Sequence, residues 1–139
     1  MEIKFTIPGE PTGKARPRVF NRGGRSMAIT PEKTVMYENL IKLCYTEQGG
    51  QFLGESPLVM KITAYYAIPK SASKKKAESM RSGELRPMKK PDLDNVIKIV
   101  ADSLNGVAYK DDSQIVSLKD VDKFYDDVPR VVVELTDEF

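Results

Sequence analysis

Residues 91–115 read PDLDNVIKIVADSLNGVAYKDDSQI, and the rest of the chain is interpreted around this stretch. Asp92 and Asp94 stand at a predicted helix start, and Asp111 and Asp112 follow that helix after one turn, where a strand is predicted. Four carboxylates from two chain segments provide enough oxygen charge for a hard divalent cation. The stretch therefore predicts a metal site between the start of a helix and the start of a strand.

The helix in this stretch is predicted to start after an N-cap at Asp92 and to run to Leu104, with Gly106 in the C′ position. Asp94 falls in the first turn, where the helix dipole favours an anion, and Lys98 and Asp102 follow it at four-residue intervals. The residues expected to face the core share one arc of the helical wheel: Val96, Ile97, Val100, Ala101 and Leu104. The helix thus presents carboxylates and an amine on its accessible face.

The other segments predict a small α+β fold. Strands are predicted over residues 2–7, 57–68, 115–124 and 130–136, and further helices over residues 30–48 and 71–81. Thr30 is the expected N-cap and Pro31 the expected N1 residue of the first helix. Residues 12–29 lack periodicity and predict a long basic loop. At 139 residues we expect a single domain over residues 1–139, with a mixed sheet of about four strands and two or three helices.

Composition excludes several classes of chemistry. The chain has no His and a single Cys, Cys44, so Ser-His and Cys-His nucleophiles and His-ligated zinc sites are excluded. Any metal chemistry must use carboxylates, which favour Mg²⁺, Mn²⁺ or Ca²⁺. No run of 18 apolar residues and no signal-peptide pattern is present, so we expect a cytoplasmic protein with no membrane contact.

The net charge of +2 conceals a strong segregation of charge. Residues 1–30 carry six cations against two acids, and residues 69–90 carry eight against two. Residues 92–127 carry nine Asp against four Lys. Basic flanks around an acidic centre suit a polyanion that is held by its phosphates while a cation acts on one of them.

Phosphate contacts are expected from both basic segments. In the first the candidates are Lys14, Arg16 and Arg18, and in the second they are Lys74, Lys75, Lys76, Lys89 and Lys90. Lys74 to Lys76 could equally form a solvated helix face. Nucleic acid is therefore the expected partner.

The sequence resembles the RusA family of Holliday junction resolvases. The resemblance lies in KPDLDNVIK at residues 90–98, followed by Asp102, Leu104 and Gly106 and then DDSQI at residues 111–115. The basic stretch at residues 14–18, after the first strand, resembles the family as well. The resemblance implies a homodimeric, Mg²⁺-dependent endonuclease that makes paired nicks in four-way DNA junctions during recombination and repair.

The resemblance also implies roles for individual residues. Asp92, Asp94 and Asp112 match the catalytic metal-binding carboxylates, with Mn²⁺ as a possible substitute metal and no small-molecule cofactor. Lys98 matches the essential lysine, and Asp111 adjoins the last ligand and is a further candidate. A metal held there would lower the pKa of a bound water and stabilise charge on the scissile phosphate, while Lys98 would bind a phosphate oxygen or orient the nucleophile.

Other interpretations stay open on the sequence alone. One is a nuclease that acts on flap or fork DNA. Another is a non-catalytic branched-DNA-binding protein with a structural metal site, which would bind such DNA without cutting it. A sugar-nucleotide transferase that uses Asp-x-Asp is disfavoured because it leaves both basic segments unexplained.

Overall fold

A five-stranded mixed sheet forms the centre of the molecule. The structure, a computed structural model, describes residues 1–15, 18–29 and 31–139, with side chains at all of these positions except 18, 20 and 29. In chain order the elements are β1 (Glu2–Pro8), β2 (Arg18–Arg22), β3 (Arg25–Ile29), α1 (Glu32–Glu47), β4 (Leu58–Ala67), α2 (Lys74–Arg81), α3 (Leu93–Ser103), a 3-10 turn (Asp112–Gln114), β5 (Ile115–Leu118), β6 (Asp122–Asp126) and β7 (Arg130–Thr136).

Strand β4 is the central strand, as its apolar composition predicts. It pairs antiparallel with β7, which pairs antiparallel with β1. On its other side it pairs in parallel with β5 near Leu58 and with β6 from Thr63 to Ala67. Buried side chains alternate along it, and Tyr66 is 1% exposed. This strand therefore links the core to the segments that carry the acidic residues.

Helices α1 and α3 pack against each other, and α1 also packs against β1. Helix α1 buries Tyr37, Ile41, Cys44 and Tyr45, while α3 buries Val96, Ile99 and Val100, and its C-cap Leu104 is buried as well. Each fully buried aliphatic or aromatic side chain contributes about 1.5–3 kcal/mol to folding relative to leaving it in water. The buried face of α3 thus fixes which of its other residues point outwards.

The α+β class, the mixed sheet and the three helices are confirmed, and the sheet has five strands where about four were expected. The predicted strand over residues 115–124 is interrupted: β5 and β6 are separate, and Asp120 between them has φ +47°. The prediction of a long loop over residues 12–29 was wrong in part, because this segment contains the hairpin of β2 and β3.

The helix ends differ slightly from the sequence prediction. Asp92 is the N-cap of α3 as predicted, but the C-cap is Leu104, so Gly106, with φ +76°, lies one residue beyond C′. Pro31, expected at N1, is the N-cap of α1, while Thr30 lies outside the described residues. Among the described helices none is long and apolar enough to cross a membrane.

Candidate active site

The start of α3 is attached to the central strand. The Tyr66 hydroxyl donates a 2.6 Å hydrogen bond to the carbonyl oxygen of Pro91, and the Lys90–Pro91 peptide bond is cis. Asp92 follows at the N-cap, but within the described part of the chain its side chain makes no capping hydrogen bond. Its exposed carboxylate is therefore available for another partner.

A segment from the N-terminal region lies against the same helix start. The backbone N–H of Lys14 donates a 3.1 Å hydrogen bond to the Asn95 carbonyl. A Cβ atom at Gly13 would lie 2.8 Å from the Pro91 Cβ and 3.0 Å from the Asn95 Cβ. Only glycine fits such a close approach without displacement of its neighbours. The segment before the hairpin is thus positioned by the acidic motif itself.

Asp94 and Asp112 face one shared cleft of about 320 Å³. Asp94 comes from the first turn of α3, and Asp112 begins the 3-10 turn that leads into β5. The other residues that line the cleft are Ile97, Lys98, Ala101, Asp102, Ile115 and Leu118. The structure therefore brings together carboxylates from the two predicted segments, beside the amine of Lys98.

Four charged side chains form a continuous row of ion pairs beside α3 and α1, in the order Lys98, Asp102, Lys14 and Glu38. The Lys98 Nζ lies 3.2 Å from Asp102 Oδ2, and Lys14 Nζ lies 3.8 Å from the same oxygen. Lys14 Nζ also lies 3.2 Å from Glu38 Oε2. The Lys98 side chain is 61% exposed, whereas Lys14 is 24% exposed. Lys98 can thus reach a substrate, while Lys14 is engaged inside the protein.

Asp92 lies in a neighbouring cleft of about 600 Å³, not in the cleft of Asp94 and Asp112. Lys14, Lys89 and Lys90 line this second cleft. Since Lys14 also pairs with Asp102, the row of charges forms the boundary between the two clefts. Among the described residues, no three acidic side chains come close enough together to make a preformed metal cluster.

Asp111 stabilises the turn that carries Asp112. Its Oδ2 accepts a 3.1 Å hydrogen bond from the Ser113 N–H, and the Gln114 Oε1 accepts one from the Asp111 N–H, which together form a capping box. Hydrogen bonds from the Ser113 side chain and backbone hold the pKa of the Asp111 carboxyl below its usual value. The Gln114 amide also donates to the Gly54 carbonyl at 2.9 Å, which attaches the turn to the segment before β4.

The expected DNA-contacting residues are distributed around these clefts. Lys89 and Lys90 are exposed beside Asp92, and Lys123 Nζ donates a 2.6 Å hydrogen bond to the Lys89 carbonyl. Lys74, Lys75 and Lys76 form the exposed first turn of α2, whose N-cap is Ser73, one of the two candidates, Ser71 and Ser73, that the sequence offers. Arg16 lies outside the described residues, and only the backbone of Arg18 is described, as the start of β2.

Comparison with known proteins identifies the chain's relatives. The family described as Endodeoxyribonuclease RusA matches residues 8–136. The chain belongs to the RusA family. Membership makes it an endodeoxyribonuclease of the Holliday junction resolvase type. The uncharacterized protein YqaN of Bacillus subtilis (strain 168) is 43% identical over 133 residues, which cover 94% of this chain and 93% of that protein.

The donor set of this RusA-family chain fits a hard divalent cation. Mg²⁺ is commonly held by one or two carboxylates, with substrate phosphates and waters completing its octahedron. Asp94 and Asp112 supply two such groups in one open cleft, with no ion pair to a described cation at either. The cleft can therefore hold a cation together with a phosphate.

Three residues that support this site were not among the predicted site residues. Tyr66 follows the apolar alternation of the central strand, and no local signal in the sequence indicates its bond to Pro91. Glu38 was one acid among several on α1. Asp102 did carry a signal, because its spacing from Lys98 predicts the ion pair that is observed.

Proposed function

We propose that this RusA-family chain is a homodimeric, Mg²⁺-dependent resolvase that makes paired nicks in four-way DNA junctions during recombination and repair. The supporting observation is the cleft shared by Asp94 and Asp112 in a chain of this family. We further propose that residues 1–139 act as one domain and that the enzyme works in the cytoplasm.

Asp94, Asp112 and Asp92 are the proposed metal ligands. Asp94 and Asp112 share a cleft, while Asp92 stands at the adjacent N-cap with its carboxylate exposed. Bound Mg²⁺, or Mn²⁺ in its place, would supply positive charge beside the scissile phosphate and make a water more acidic. Asp111 is a weaker candidate ligand, because one of its oxygens already accepts the capping hydrogen bond.

Lys98 is the proposed cationic catalytic residue. Its side chain is 61% exposed at the cleft, and its Nζ is held 3.2 Å from Asp102. An ammonium group so placed can donate to a phosphate oxygen on which charge increases in the transition state. Asp102 acts through Lys98 by fixing the direction of its side chain.

The basic residues are proposed to hold the DNA around this cleft. Lys89 and Lys90 stand exposed beside Asp92, where a strand that enters the cleft would place its phosphates. Lys74 to Lys76 would contact a duplex arm farther away. Arg16 and Arg18 stay in the proposed set. Lys14 stays in it as well, with an ammonium group that is paired with Glu38 and Asp102 before DNA binds.

Dimerisation is proposed from the symmetry of the substrate. A four-way junction presents two equivalent cleavage points, and a twofold dimer supplies one active site to each. Sedimentation of the purified protein at micromolar concentration should give a dimer. A monomer that persists on junction DNA would contradict this part of the proposal.

One cleavage assay tests the activity and the site together. A synthetic four-way junction is incubated with Mg²⁺ and with the wild type, Asp94→Asn, Asp92→Asn or Lys98→Ala. Paired nicks should disappear in all three variants while junction binding in gel shifts persists. Asp120→Asn is the matched control, because its carboxylate is exposed and, among the described residues, pairs only with Lys61 at 3.8 Å.

The outcomes separate the competing functions. Cutting by Asp94→Asn at the wild-type rate would refute the metal assignment. Binding without cleavage at any Mg²⁺ or Mn²⁺ concentration would indicate a non-catalytic branched-DNA-binding protein. Faster cleavage of flap or fork DNA than of the four-way junction would indicate the other nuclease class.

A further inference from the structure

The hairpin of β2 and β3 is separate from the central sheet. Its two strands pair antiparallel, and its turn is made by Gly23 and Gly24, with φ of +60° and +78°. Positive φ at both central residues is the requirement of a two-residue type I′ turn, which matches the twist of the flanking strands. The basic segment thus forms an ordered ribbon with a tight tip.

Two arginines face each other at this tip. Arg22 and Arg25 are directly paired in the hairpin register. Like charges opposite one another destabilise a strand pair. Residues 11–31 contain five basic residues and no acid, and within the described part of the chain neither arginine forms an ion pair. The described protein thus supplies no counter-charge for this exposed pair, which favours an external anion as its partner.

The nearest described residues outside the ribbon, on either side of it in the chain, lie at the cleft that contains Asp92. Ala15, just before the hairpin, and Pro31, just after it, both line that cleft. Residues 21–28 are exposed throughout, and Met27 is 46% exposed. Five-residue strands at about 3.4 Å per residue reach about 17 Å. The tip can therefore contact DNA well outside the active-site cleft.

We propose that the β2–β3 hairpin is a DNA-binding ribbon whose tip arginines, Arg22 and Arg25, contact phosphates of the duplex arm next to the cleavage point. The major groove of B-DNA is about 12 Å wide and admits a two-stranded β-ribbon. Two adjacent guanidinium groups suit the phosphates at the groove edge. This inference rests on the proposed function, because it takes branched DNA as the substrate.

The expected effect is a loss of affinity that depends on salt. When the logarithm of the DNA-binding constant is plotted against the logarithm of the salt concentration, each phosphate contact contributes about 0.9 to the magnitude of the slope. Arg22→Ala combined with Arg25→Ala should therefore reduce the magnitude of the slope by about 2. Junction affinity near 0.1 M salt should fall roughly ten- to a hundredfold by the same relation.

The measurement is fluorescence anisotropy of a labelled four-way junction, without divalent metal, over a series of salt concentrations. Lys4→Ala combined with Lys42→Ala is the charge-matched control, because both side chains are exposed on β1 and α1. It should leave the slope near the wild-type value. Arg22→Lys combined with Arg25→Lys keeps the charge and the fold, and should also keep most of the slope.

Two results would overturn the inference. If the double alanine variant keeps the wild-type slope and affinity while the wild type binds and cuts the junction, only the ribbon proposal fails. If the wild type neither binds nor cuts the junction, the proposed function fails and this inference fails with it. Circular dichroism and denaturant unfolding of each variant show whether a change in binding comes from loss of fold.

Discussion

The hydroxyl of Tyr66 donates a 2.6 Å hydrogen bond to the carbonyl oxygen of Pro91, so the central strand holds the residue that precedes Asp92. Burial, together with the nearby carboxylates of Glu10 and Asp92, raises the pKa of Tyr66 to about 12. The phenol therefore stays protonated, and remains a donor, at neutral pH. The start of α3 has a fixed position relative to the sheet.

Tyr66→Phe should lower the free energy of unfolding by about 1 kcal/mol, the usual net value of one such hydrogen bond. The ring still packs, but the Pro91 carbonyl loses its donor. Urea unfolding at neutral pH measures the difference. Tyr65→Phe on the preceding residue is the control, since the Tyr65 hydroxyl makes no hydrogen bond with the described residues. Equal stability of the two variants would contradict the role given to Tyr66.

Lys14 and Glu38 should show a coupling energy of about 1 kcal/mol in a double-mutant cycle. Their charged atoms lie 3.2 Å apart, and both side chains are mostly buried, so salt screens the pair less than a surface pair. Urea unfolding of Lys14→Met, Glu38→Gln and the double variant gives the coupling. Lys90→Met is the matched control: it should weaken DNA binding without changing stability. Additive effects in the cycle would show that the pair does not stabilise the fold.

Asp111 should make stability depend on pH in the acid range. Hydrogen bonds from Ser113 lower its pKa in the folded state. The Asp111 carboxylate therefore contributes its full stabilisation of the fold above a pH of about 3.9, its pKa in the unfolded chain. This stabilisation is lost as the pH falls through the lower pKa that Asp111 has in the folded protein. Asp111→Asn should remove this part of the acid dependence when urea midpoints are compared between about pH 2 and pH 7.

Gln114→Ala is the control for Asp111, because it removes the other half of the capping box without removing a titrating group. It should lower stability at all these pH values. An acid dependence that is the same in Asp111→Asn and in the wild type would show that the capping carboxylate does not carry the effect.

Much of the site could be predicted from sequence where the signal was local. The helical period and the Asp92 N-cap predicted α3 to within a residue at its start. The i, i+4 spacing predicted the pair of Lys98 with Asp102. The return of acidic residues after one helix and one turn predicted that Asp112 would approach Asp94. In each case the residues that determine the geometry lie within one continuous stretch of the chain, residues 92–112.

What the sequence did not predict depends on contacts between distant segments. The sequence predicts a phosphate contact for Lys14, whereas the fold places its Nζ between Glu38 and Asp102. The hairpin was missed because its strands lack an alternating apolar face, and only the Gly23-Gly24 turn defines it. The sequence predicts an apolar stripe on α1 made of Val35, Leu40, Ile41 and Cys44. Val35 is nevertheless 42% exposed, because Tyr37 and Tyr45 set the buried face.

Gly13→Ala should move the N-terminal segment away from the start of α3. The new Cβ would meet the Pro91 Cβ at 2.8 Å, which is closer than real Cβ contacts allow. Overpacking of this kind costs about 1–3 kcal/mol, so urea unfolding should show a loss in that range. Since the same segment carries Lys14 and leads into the hairpin, junction affinity should fall together with stability.

Thr12→Ala, at the preceding residue, is the control for Gly13→Ala, because it shortens a side chain and adds no atom near α3. It should leave both unfolding and junction binding close to wild type, since the Thr12 hydroxyl is 3.4 Å from the Glu10 carbonyl and the contact is a weak one. If Gly13→Ala were as stable as Thr12→Ala and bound the junction equally well, the close packing of this segment on the helix start would not matter to the enzyme.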